Sequence, residues 1–84
     1  SLRASTEAVL ALAEENGVKT IAFPATGTGL AGFDTRSCAE IMLEVVADHV
    51  RGSTNLTDVY FVLFDAASKA AFQRVWEEMS AGRR

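Results

Sequence analysis

The chain of 84 residues has little of what staples small proteins or carries metals. It holds one cysteine, Cys38, which excludes an internal disulfide and fits a reducing, cytoplasmic setting. It holds one histidine, His49, and a single His with a single Cys cannot make a metal site alone. No metal and no cofactor are therefore expected. Positive charge is not in excess either. The net charge is −3 and the pair Arg83–Arg84 reads as a solvated tail, so nucleic acid is not an expected partner. No apolar run approaches the roughly 20 residues that span a bilayer, so no membrane partner and no signal peptide are expected. What is present is 49% hydrophobic and 23% charged residues, the balance of a globular rather than a disordered chain. The length allows one small domain with a thin stability margin.

Periodicity alternates along the chain. From Ser5 to Ala13, the apolar residues Ala8, Val9, Leu12 and Ala13 fall at helical spacing. Glu14, Glu15 and Asn16 are polar, and Gly17 suits a helix end. Residues 18–23, "VKTIAF", read as a strand, which Pro24 should end because it has no N–H for a ladder. "DTRSCAEIMLEVVADHVRG" predicts a second helix, with Ala39, Met42, Leu43, Val46 and Val50 on one face, widened by Ile41 and Val45. Asp34 or Thr35 would cap its start, and His49, Arg51 and Gly52 suit its end. After the loop "STNLT", residues 58–64, "DVYFVLF", are β-branched and aromatic and predict a strand. Asp65 would cap a last helix, whose stripe is Phe72, Val75, Trp76 and Met79, with Trp76 in the core.

The order α-β-α-β-α predicts a parallel βαβ unit with a right-handed crossover. Ligands of such sheets bind beyond the carboxyl ends of the strands, which here carry a glycine-rich loop and the Phe64–Asp65 corner. Both strands read as buried on both faces. Two strands alone would leave open apolar edges, so further strands are expected from a missing N-terminal half, a second chain or a homo-oligomer. The opening residues look like the body of a helix with little lead-in, which predicts truncation.

The loop is "FPATGTGLAGFD". Gly27, Gly29 and Gly32 let the backbone approach a ligand, and successive N–H groups before a helix can form an anion nest. No Lys follows the last glycine, so it is not a Walker loop. G-T-G-L-A-G matches the dinucleotide spacing, but no acidic residue ends a following strand where that fingerprint needs one; Asp48 falls inside the second helix. From spacing alone, a plain strand-to-helix turn and an anion cradle both stand open.

"GVKTIAFPATGTGLAGFD", an Ala-containing helix and "DVYFVLFD" together resemble the C-terminal half of a macro domain, the ADP-ribose-binding module. The resemblance implies a three-layer α/β/α fold around a mixed sheet. Residues 1–84 would supply an α-β-α-β-α portion with two parallel central strands, incomplete as a stand-alone domain. It also implies that the backbone of Gly27, Thr28, Gly29, Leu30, Ala31, Gly32 and Phe33 wraps the diphosphate and distal ribose. Phe64 would stack on adenine. The implied partner is ADP-ribose or an ADP-ribosylated protein. One hydrolase branch of the family places a catalytic Asp at what matches Ala31, and alanine can act neither as base nor as nucleophile. Asp34 stands where many members have Pro, and Thr26 replaces a more usual apolar residue. No catalytic residue is identified in the chain. Catalysis as an ADP-ribosyl or O-acetyl-ADP-ribose hydrolase would need groups from the absent half, and a non-binding fragment that associates through its strand edges is the third alternative.

The remaining polar residues read as structural. Arg36 could approach a phosphate but suits a solvated surface. Cys38 suits a buried thiol, His49 a helix end, and Glu44 with Asp48 a solvated acidic face.

Overall fold

The computed structural model describes residues 1–24, 34–63 and 65–82. Among these residues helices and strands alternate: α1 Leu2–Glu15, β1 Thr20–Pro24, α2 Thr35–Val50, β2 Asp58–Val62 and α3 Ala66–Gly82. α1 starts before the stretch its apolar spacing marks, because the Ser1 hydroxyl accepts the Ala4 N–H at 3.1 Å and satisfies an orphan donor. It ends in a Schellman turn. The Gly17 N–H bonds the Glu14 carbonyl at 3.2 Å and the Val18 N–H bonds the Ala13 carbonyl at 3.0 Å. That turn needs the left-handed backbone that Gly17 adopts, with φ at +64°.

β1 and β2 pair in parallel, with Thr20 opposite Asp58 and Pro24 opposite Val62. The Lys19 carbonyl accepts the N–H groups of Thr57 and Asp58, at 2.7 and 3.2 Å, which sets the start of β2 beside β1. Both strands are shorter than their apolar runs. β1 begins after Val18 and Lys19 and keeps Pro24 as its last residue, and β2 stops at Val62.

Burial alternates along the strands. Phe23 is buried, and Ile21, Val59 and Phe61 pack against the core that all the helices share. Phe23 and Phe61, opposite in register, stack with centroids 5.6 Å apart, and Phe61 meets Phe72 of α3 at 5.3 Å. Ala22, Tyr60 and Val62 point the other way; Tyr60 is 56% and Val62 44% exposed. The expected burial of both faces is thus corrected. One face is covered, and among the described residues nothing covers the other.

α2 lies between α1 and α3 and buries Cys38, Ala39, Met42, Leu43, Val45, Val46 and Ala47, whereas Val50 is exposed. In α1 the buried stripe is Thr6, Leu10 and Ala13, and Ala8, Val9 and Leu12 face outward. Thr6 can be buried because its hydroxyl donates to the Leu2 carbonyl at 2.8 Å. In α3, Phe72 and Val75 are buried, but Trp76 is 49% exposed, which corrects its assignment to the core.

Candidate functional site

The parallel register brings the carboxyl ends of β1 and β2 together, since Pro24 pairs with Val62. α2 and α3 both start at this end, each with its own aspartate cap. Asp34 Oδ1 accepts the Ser37 N–H at 2.7 Å, and Asp65 Oδ1 accepts the Ser68 N–H at 2.6 Å. Those backbone hydrogen bonds hold both carboxyls below the usual aspartate range. The capping roles expected of Asp34 and Asp65 are therefore met. An anion arriving here would meet helix starts already occupied by carboxylates, so its binding would fall to other N–H groups. Gly27, Thr28, Gly29, Leu30, Ala31, Gly32, Phe33 and Phe64, with Thr26 beside them, lie outside the described residues.

Two further residues near this end are committed to structure. The Arg36 guanidinium donates to Glu78 at 2.5 Å and to Glu40 at 3.1 Å, tying the first turn of α2 to α3. The Glu78 hydrogen bond leads the upward shift of its pKa. Its side chain is about half exposed, in keeping with the surface role expected. Cys38 is buried, and burial first, then the nearby Asp34 charge, push its thiol up, which suppresses the reactive thiolate.

The amino ends of the strands carry a different constellation, which the sequence did not reveal. The Glu14 carboxylate at the end of α1 accepts the Asn55 N–H at 3.0 Å, the Thr54 hydroxyl, and His49 Nε2–H at 2.6 Å. The Thr54 hydroxyl first, then the Asn55 N–H and His49, lower the Glu14 pKa to about 2. One carboxylate thus joins α1, the end of α2 and the connection into β2. The helix-end position of His49 holds, with Glu14 as its partner. Glu44 and Asp48 form exposed ion pairs with Arg3 and Arg51, at 3.0 and 3.3 Å, as an acidic surface would.

Along β2, on the side away from β1, runs an apolar groove of about 790 Å³. Leu43, Val46, Val59, Phe61, Phe72 and Trp76 line it. Among the described residues, no group of His, Cys, Asp and Glu is placed to hold a metal. No described helix is long and apolar enough to cross a membrane.

Strand-end geometry and sequence similarity agree on a class. The macro domain family model matches residues 1–42, and the chain belongs to that family. It is 43% identical over 70 residues to a macro domain-containing protein of Caldanaerobacter subterraneus, a match covering 83% of this chain and 39% of that protein. It is 38% identical over 66 residues to the O-acetyl-ADP-ribose deacetylase of Escherichia fergusonii, covering 79% of this chain and 37% of the relative. A macro domain-containing protein of Ralstonia nicotianae is 38% identical over 69 residues, covering 82% and 39% respectively. The chain therefore spans less than half the length of these relatives and holds only a portion of the domain.

Proposed function

We propose that the chain forms the diphosphate-holding part of an ADP-ribose site that is completed by residues it lacks. The observation that carries this reading is the register that sets Pro24 beside Val62. It sets the carboxyl ends of β1 and β2 side by side, and ligands of parallel α/β sheets bind beyond that end. In this reading the N–H groups of Gly27 to Phe33 hold the diphosphate and Phe64 stacks on adenine. Backbone donors suit the task because the helix starts already serve Asp34 and Asp65. The ligand would be ADP-ribose, free or on a modified protein, and the domain would comprise residues 1–84 plus the missing part.

Similarity to a protein named O-acetyl-ADP-ribose deacetylase supports a second reading, in which the completed domain hydrolyses such esters. Its catalytic groups would then lie outside this chain, because Ala31 carries no functional group and Cys38 is buried with a raised pKa.

Calorimetry with ADP-ribose on the completed domain tests the first reading. Gly29→Val should abolish measurable binding while the thermal midpoint stays in place. Unchanged affinity would reduce the loop to a turn. Hydrolysis of O-acetyl-ADP-ribose by the completed domain would establish the second, and ADP-ribose binding without any ester hydrolysis would remove it.

A further inference from the structure

The end of α1 carries a reactive pair of residues that the proposed ligand site does not use. Asn16 is followed by Gly17, and both are exposed. A glycine has no side chain to shield its amide nitrogen, and nothing stands within 4 Å of the place a Cβ would take at Gly17. We propose that Asn16 is a site of spontaneous deamidation, held back by the fold, and that the Glu14 cluster sets its rate. In this reaction the Gly17 amide nitrogen gives its proton to solvent and bonds to Asn16 Cγ. The Cγ–Nδ2 bond breaks, and Nδ2 leaves as ammonia with a proton returned from water. Water then opens the five-membered imide at either carbonyl, giving aspartate or isoaspartate. Nothing is oxidised or reduced.

Both reacting groups are restrained in the folded chain. The Gly17 N–H bonds the Glu14 carbonyl at 3.2 Å, which opposes its deprotonation. Asn16 Nδ2 donates to the Leu12 carbonyl at 2.8 Å, which holds the side-chain amide against the last turn of α1. The ring can close only when that turn opens. Opening is opposed by the Glu14 side chain, whose bonds with His49, Thr54 and Asn55 pin the end of α1 to α2 and to the connection into β2. Asn55, the other asparagine, is also exposed but is followed by Leu56. The leucine side chain crowds the attack, and the Leu56 N–H is bonded to the Thr54 hydroxyl at 3.1 Å.

The modified end cannot close again as before. Isoaspartate routes the backbone through the side-chain carbon and lengthens it, so the Schellman N–H groups lose their carbonyls. Either product adds a negative charge beside Glu14 and Glu15, at the end of a helix where the dipole is already negative.

The test does not depend on ADP-ribose. The completed domain is incubated at mildly alkaline pH, folded and in denaturant, and aspartate and isoaspartate are quantified by peptide mapping with mass spectrometry. Circular dichroism checks that each sample is folded, and amide exchange at Gly17 follows the opening. Modification should fall at Asn16 and not at Asn55, and should run roughly tenfold faster in denaturant. Glu14→Gln should raise the folded rate several-fold, in step with exchange at Gly17. Thr54→Val, which removes one of the bonds to Glu14, should act in the same direction. Arg36→Ala, at the other end of the sheet, should leave the rate unchanged. Three results would overturn the proposal: modification no faster at Asn16 than at Asn55, equal rates in the folded and denatured protein, or a rate that neither Glu14→Gln nor Thr54→Val alters.

Discussion

At the amino ends of β1 and β2 one carboxylate gathers three segments of the chain, whereas at the carboxyl ends two carboxylates each serve only their own helix. Glu14 is bonded by His49, Thr54 and Asn55, from α2 and the connection into β2. Asp34 and Asp65 bond Ser37 and Ser68, three residues along the same chain segment. The first arrangement fixes how elements sit on one another, and the second fixes only where helices begin. The difference teaches a division of labour. Glu14 fastens three segments at the end away from the proposed ligand, whereas at the carboxyl end the two aspartates cap locally and the exposed Arg36–Glu78 pair ties α2 to α3.

Substitutions at the two ends should separate affinity from stability. The largest effect is expected at the proposed ligand end. Phe64→Ala in the completed domain should weaken ADP-ribose by about 1–3 kcal/mol, the worth of one aromatic–base stack, and leave ribose-5-phosphate nearly unaffected. Equal losses for the two ligands, read by calorimetry, would remove the stacking role.

At the other end, Glu14 predicts a pH signature. Its folded pKa of about 2 lies below the ordinary 4.5, so its stabilising effect is present above pH 4.5 and is lost as pH falls through about 2. Denaturant melts of Glu14→Gln and the parent should therefore differ at neutral pH and converge across that window. A gap that does not change with pH would break the comparison.

Gly17→Ala should cost about 1 kcal/mol of stability, because alanine in the left-handed region crowds its Cβ against the following carbonyl. No neighbour stands within 4 Å of a Cβ there, so the cost is conformational, and ligand affinity should not follow it. The smallest effect is expected at Arg36. Its exposed pairs with Glu40 and Glu78 should contribute little in a thermal melt of Arg36→Ala, and less in high salt. A large loss of ADP-ribose affinity in that variant would instead place Arg36 at the phosphate.

Local signals carried the fold. The 3.6-residue stripe of Phe72 and Val75, the β-branched run at 58–62 and the aspartate caps could be read because each depends on near neighbours in sequence. Burial of single faces could not be read that way. Tyr60 and Val62 sit in the same apolar run as Val59 and Phe61, and only the placement of the helices decides which are covered. Thr6 is polar yet buried, and its satisfaction by the Leu2 carbonyl is invisible in composition. The Glu14 cluster joins residues about forty positions apart and leaves no periodic trace. Of the proposed site, the strand ends and their caps were legible from spacing, and the roles of Gly27 to Phe33 and Phe64 rest on resemblance.

The central claim is that backbone N–H groups at the carboxyl end of the sheet hold the diphosphate. Amide NMR of the completed, isotope-labelled domain during an ADP-ribose titration tests it most directly. The account predicts shifts concentrated at Gly27, Gly29, Gly32 and their neighbours, with Glu14, His49 and Asn55 unmoved. Saturable binding that leaves residues 27–33 unshifted, or that shifts the Glu14 end instead, would contradict it.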